Sequence, residues 1–93
     1  MKHIQAIEEQ FETSLNYLKE ILRFASISTN PNYQKDMLDC QKWLKTYLNN
    51  IGFQKVDIWP CDGHSAVFAS WEVNPHLPTL LIYGHYDVQP VDP

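Results

Sequence analysis

The sequence predicts an α/β chain in which two N-terminal helices pack on a three-stranded partial sheet. Apolar residues recur at helical spacing in two early segments, 4–24 and 35–51. After Gly52 the period shortens toward two, which marks strands over 53–59 and 65–71. A short, continuous apolar run at 79–83 then reads as a third strand, covered on both faces.

In the first segment Ile4, Ile7, Phe11, Leu15, Leu18, Leu22 and Ala25 form one apolar stripe, with Glu, Gln and Lys between them. Glu8, Glu9 and Glu12 belong to its wet face. Ser26-Ile27-Ser28-Thr29-Asn30-Pro31-Asn32 interrupts it, because these residues favour turns and helix caps. Met37, Cys40, Leu44, Tyr47, Leu48 and Ile51 line one side of the second helix, and Gly52 follows at the position of a left-handed cap. Val56 and Ile58 alternate with Lys55 and Asp57 in the first strand. Pro60-Cys61-Asp62-Gly63 is a turn, Ala66 to Trp71 a returning strand, and Asn74-Pro75-His76-Leu77-Pro78 a rigid connector. Trp43, Trp59 and Trp71 are expected to pack the sheet against the helices. A self-sufficient domain rarely places its most buried-looking strand last, so the pattern predicts covering chain beyond Pro93.

With 93 residues, 44% of them apolar and 13% aromatic, the chain suits one small domain with a modest packed core. A net charge of −4, with Lys and Arg scattered singly, argues against a nucleic-acid partner. No apolar run approaches the roughly 20 residues that span a bilayer. The opening Met1-Lys2-His3-Ile4-Gln5-Ala6-Ile7-Glu8-Glu9 has acidic residues where a signal peptide would need an apolar stretch. The expectation is therefore a cytoplasmic chain without a membrane partner. Cys40 and Cys61 are too few and too irregular for a disulfide framework and are expected as free thiols.

Chemistry concentrates in Gly84-His85-Tyr86-Asp87-Val88-Gln89-Pro90, directly after the apolar run. Open α/β sheets place their sites outside the carboxyl ends of strands. His85 and Asp87 are two apart, so in extended chain both project to one side. A neutral imidazole is the commonest zinc ligand, and a nearby carboxylate can take its other ring N–H and fix the tautomer. Other candidates are weaker. His64 in Cys61-Asp62-Gly63-His64 is half of a metal motif with no second half, His76 sits in the connector, and His3 lies near a terminus. Ser26, Ser28 and Ser65 lack the surroundings of a nucleophilic serine.

The segment from Leu81 to Pro93 resembles the first metal-ligand segment of the zinc aminopeptidase-like family. That family includes acetylornithine deacetylase, succinyl-diaminopimelate desuccinylase, carboxypeptidase G and the cytosolic dipeptidases. Its Gly-His-x-Asp-x-x-Pro pattern is matched by Gly84, His85, Asp87 and Pro90. Tyr86 and the Gln-Pro-Val-Asp-Pro ending are most similar to the carnosine and non-specific dipeptidase branch. Upstream, Arg23 to Ser28, Trp43-Leu44, Ile51 to Phe53 and Gly63 to Trp71 resemble further segments of the same family.

The resemblance implies the start of a zinc-aminopeptidase-like (phosphorylase/hydrolase-like) catalytic domain that hydrolyses amide bonds of dipeptides or N-acyl amino acids. It implies His85 as a metal ligand and Asp87 as the acid that orients the catalytic site. The complete enzyme would use two zinc ions, and this chain alone would bind zinc weakly or not at all and be inactive. A bridging Asp, a Glu–Glu pair, another carboxylate and a distal His would come from beyond Pro93. The alternative expectation is a stand-alone α/β fragment that associates with copies of itself, as a dimer or higher, through an exposed sheet edge.

Overall fold

Both periodic segments fold as helices, and the shift of period after Gly52 marks the change to strands. The computed structural model describes residues 2–91; Met1, Asp92 and Pro93, the last two at the end of the motif segment, lie outside the described residues. Helix α1 spans Lys2–Glu9 and α2 spans Phe11–Leu22. A 3-10 turn at Pro31–Tyr33 leads into α3, Gln34–Asn50. Strands β1 (Lys55–Trp59) and β2 (Ala66–Ser70) form an antiparallel hairpin.

The first helical segment is broken at Gln10, whose backbone (φ −98°, ψ 8°) leaves the helical region. Hydrogen bonds from Gln10 N–H to the Ala6 carbonyl and from Ser14 N–H to the Gln10 carbonyl carry the chain across the break. The predicted end of this segment at 24 is two residues beyond Leu22, where α2 stops. Before the 3-10 turn, Asn30 Oδ1 accepts the Asn32 N–H at 3.0 Å, and Pro31 occupies a first-turn position where its missing N–H costs nothing.

Helix α3 ends as its sequence predicts. Gly52 adopts φ +110°, a region that side chains with a Cβ disfavour. Its N–H donates to the Asn49 carbonyl at 3.2 Å, and Phe53 N–H donates to the Leu48 carbonyl at 3.2 Å. These two bonds satisfy carbonyls that the helix end leaves open and turn the chain toward β1.

Register within the hairpin pairs Val56 with Ala69 and Ile58 with Val67. Alternation puts these four residues on one face, and α3 packs against the hairpin there, with Val56, Met37 and Cys40 buried. Among the described residues Ile27, from the loop after α2, completes the buried apolar set, and Ser26 and Gln41 are the buried polar residues. On the opposite face Trp59 stacks on Phe68, with ring centroids 4.2 Å apart and planes 14° from parallel.

The architecture is mixed α/β, as expected, but three expectations are corrected. The predicted strand at 79–83 forms no ladder: among the described residues the sheet has two strands. A strand covered on both faces needs neighbours beside it and layers above and below, whereas a hairpin with one helix supplies a single covered face. The connector also holds its own geometry, with His76 N–H on Asn74 Oδ1 and Leu77 N–H on the Asn74 carbonyl. Leu80, Leu81, Ile82 and Tyr83 are consequently 83–88% exposed.

The second correction concerns the first helical segment, which does not pack on the sheet. Tyr17 meets Tyr47 edge to face at 4.9 Å, and Phe24 lies 6.4 Å from Trp43, so α2 and its end reach α3 at these two aromatic residues. Ile4, Ile7, Phe11, Leu18 and Leu22 of the predicted stripe stay exposed, while Leu15 and Ala25 are partly covered. Third, the tryptophans do not join sheet to helices as a set. Trp43 stacks on Tyr47 within α3, Trp59 lies on the hairpin's outer face, and Trp71 is 65% exposed.

Candidate functional site

Gly84 to Val88 has no regular secondary structure, yet several hydrogen bonds pin it to the loop that follows α2. Val88 N–H donates to the Ser26 carbonyl at 2.9 Å, and the Ser26 hydroxyl donates to the Tyr86 carbonyl at 2.8 Å. Ser26 is thereby satisfied although it is buried. Between these bonds the Tyr86 side chain turns inward. Its hydroxyl donates to the Ser65 carbonyl at 2.5 Å and accepts from Gln41 Nε2 at 2.9 Å. One side chain thus ties the segment to both α3 and the start of β2. Burial pushes the Tyr86 phenol above its ordinary value, with the Gln41 hydrogen bond acting against it.

With Tyr86 directed inward, its neighbours His85 and Asp87 face the other way. His85 Nδ1 lies 2.9 Å from Asp87 Oδ1 and 3.2 Å from the Asp87 carbonyl. Both partners only accept while the carboxyl is ionised, so the neutral ring carries its proton on Nδ1. The lone pair is then on Nε2, on a side chain that is 76% exposed. The second carboxylate oxygen of Asp87 accepts from the Ser28 hydroxyl at 2.6 Å. That hydrogen bond is the main influence holding the Asp87 carboxyl below its ordinary value; desolvation opposes it and His85 adds to it.

Ser28 also meets a second histidine, because its carbonyl lies 2.9 Å from His64 Nε2. A carbonyl only accepts, so His64 carries its proton on Nε2. The Cys61 thiol donates to the His64 carbonyl and closes the turn predicted at 60–63. Ser28, Met37, His64, Tyr83, His85 and Asp87 are among the residues around a cleft of about 420 Å³.

The two site residues predicted from sequence are therefore in contact, and His64 borders the same cleft. His76 stays in the exposed connector and His3 on exposed α1. Ser26, Ser28 and Ser65, set aside as nucleophiles, hold the motif segment instead, together with Gln41. These partners stand 21 to 60 residues from the groups they bind. No local pattern could have exposed them.

A catalytic zinc normally takes about three protein ligands. Among the described residues no group of three or more His, Cys, Asp or Glu side chains could hold a metal ion. His85 and Asp87 are two such side chains in contact. Both cysteines are free thiols, Cys40 buried and Cys61 exposed, and no helix among the described residues is long and apolar enough to cross a membrane. No protein-family model, no curated protein and no solved structure matches the chain.

Proposed function

We propose that this chain carries the first metal-ligand segment of a zinc-dependent dipeptidase-like hydrolase, with His85 as ligand and Asp87 as its orienting acid. The observation that supports this reading is the His85 Nδ1 contact with Asp87 Oδ1 at 2.9 Å, which leaves Nε2 exposed as the donor. A ligating histidine commonly gives its other ring N–H to a carboxylate in this way. The motif residues Gly84, His85, Asp87 and Pro90 support it independently.

In such an enzyme zinc would lower the pKa of a bound water toward neutrality and so supply a nucleophile for the amide carbonyl of a dipeptide or N-acyl amino acid. Within this chain, Asp87 holds the imidazole of His85 in one tautomer, and Tyr86 fixes the backbone on which both sit. The net charge of −4 suits neither nucleic acid nor an anionic membrane surface as a partner. With one ligand position, the 93-residue chain by itself binds zinc weakly and hydrolyses nothing.

A titration with Zn²⁺ followed by ¹H–¹⁵N NMR of the histidine rings tests the ligand assignment. Nε2 of His85 should shift first, ahead of His3, His64 and His76, and His85→Ala should remove the strongest response. A response that begins at another histidine and survives that substitution would sink it. In a form carrying the other ligands, His85→Ala should abolish zinc-dependent dipeptide hydrolysis.

A second reading rests on a different observation. Leu80, Leu81 and Ile82 are 83–84% exposed in a segment whose backbone forms no ladder. Such a run offers an edge for strand addition, and we propose self-association to a dimer or higher through it. This reading is compatible with the first.

A further inference from the structure

We propose that Ser28 is a positioning residue that sets the tautomer of His85 through Asp87. Ser28 Oγ–H donates to Asp87 Oδ2 at 2.6 Å, and His85 Nδ1–H donates to Asp87 Oδ1 at 2.9 Å. An aspartate carboxyl rotates about its last bond, so a contact to one oxygen alone leaves the other free to swing. Holding Oδ2 from the opposite side fixes where Oδ1 stands. Ser28 can do this because its own backbone is anchored on the far side of the motif: Ser26, two residues earlier, exchanges hydrogen bonds with both Tyr86 and Val88. The hydroxyl therefore reports the position of the buried loop to an exposed imidazole.

Two consequences separate this arrangement from ordinary packing. A solvated, neutral histidine side chain favours the proton on Nε2, whereas the contacts here require it on Nδ1. Ser28 also binds the second histidine of the cleft, but through its carbonyl, which accepts from His64 Nε2–H. Loss of the hydroxyl should thus change His85 and leave His64 as it is.

The tautomer assignment stands on the hydrogen bonds alone, and its relevance to metal binding rests on the ligand reading above. Long-range ¹H–¹⁵N correlation spectra resolve the two ring nitrogens of each histidine, recorded at about pH 8.5, well above the ordinary histidine value of about 6.5. Unaltered protein should show His85 mainly as the Nδ1–H form and His64 as the Nε2–H form. Ser28→Ala should move His85 part of the way toward Nε2–H, the Asp87 carbonyl at 3.2 Å still accepting from Nδ1; Ser28→Thr should retain Nδ1–H, and His64 should stay unchanged in both.

An unchanged His85 in Ser28→Ala, or a Thr variant that behaves as Ala does, overturns the proposal. A shift of His64 together with His85 also overturns it, since that signals general loosening. Should the Ala variant fail to fold, the unaltered protein still decides: a rapidly exchanging Ser28 hydroxyl, with His85 as the Nε2–H form, overturns the proposal. Zn²⁺ titration adds an independent arm, in which Ser28→Ala should weaken binding at His85 by at most about tenfold, the low end of the range for a direct partner of a ligating histidine, because Ser28 acts through Asp87. If Zn²⁺ leaves His85 untouched while the tautomers behave as described, the ligand reading falls and the role of Ser28 stands.

Discussion

At the scale of single residues, Tyr86 organises the motif. Its hydroxyl serves the buried Gln41 and the Ser65 carbonyl, so Tyr86→Phe leaves two polar groups without their partner. Such losses cost about 1–3 kcal/mol. Urea denaturation should show the variant destabilised by that order, and a midpoint equal to the unaltered protein would contradict the hydrogen-bond assignment.

Titration gives a second handle at this scale. Burial holds the Cys40 thiol above 9.0 and the Tyr86 phenol above 10.0, with hydrogen bonds from Ser26 and Gln41 acting against it. Between the ordinary and the raised value the native state binds more protons than the unfolded state. The associated stability is therefore intact below pH 9.0 and falls as pH rises through and beyond it. The urea midpoint should be lower at about pH 10 than at about pH 8, and Cys40→Ala should remove part of that difference. Exposed Cys61 should react with an alkylating reagent well before Cys40 does.

His85 and Asp87 were legible as a pair because two residues of extended chain suffice to bring them together. Their supports were not. Ser28 lies 59 residues from Asp87, and Gln41 lies 45 from Tyr86. A serine that is unremarkable as a nucleophile gains its role only when the chain returns to it.

Among the elements, α3 and the hairpin were readable because each obeys a local period and a local stop. Gly52 shows how local that stop is. A Cβ built there meets no atom within 4 Å, so Gly52→Ala would suffer from backbone strain at φ +110° alone. The expected loss is about 1–2 kcal/mol, read as a lower urea midpoint or melting temperature. No loss would mean that the helix ends in some other way.

The run at 79–83 failed as a strand for the opposite reason. Its residues suit a buried strand, but a ladder requires a neighbour, and among the described residues β2 pairs with β1 alone. Helix α2 shows the same dependence: its stripe is amphipathic, yet burial needs a surface to meet it, and Phe11, Leu18 and Leu22 remain exposed.

For the molecule as a whole, the radius of gyration is 15.6 Å. A compact chain of this length would be near 12 Å. The excess agrees with two apolar surfaces left open, the stripe of α1 and α2 and the run at 79–83. Their exposure is unusual, since large open apolar patches tend to mark interaction sites. Light scattering should find a dimer or higher at micromolar concentration, and Leu81→Lys should move it toward monomer, because charge blunts strand edges. A clean monomer in the unaltered protein would count against association through this run.

The amino-acid sequence by itself determined the helical segments, the hairpin, the cap at Gly52 and the His85–Asp87 pairing. Each follows from forces acting within a few residues: side-chain period, the conformational freedom of glycine, and the reach of an extended dipeptide. Only the tertiary structure decided that Ser26 and Ser28 hold the motif, that the third strand stays unpaired and that the first apolar stripe remains open. Those outcomes depend on which surfaces the fold brings together, and neither spacing nor composition carries that information.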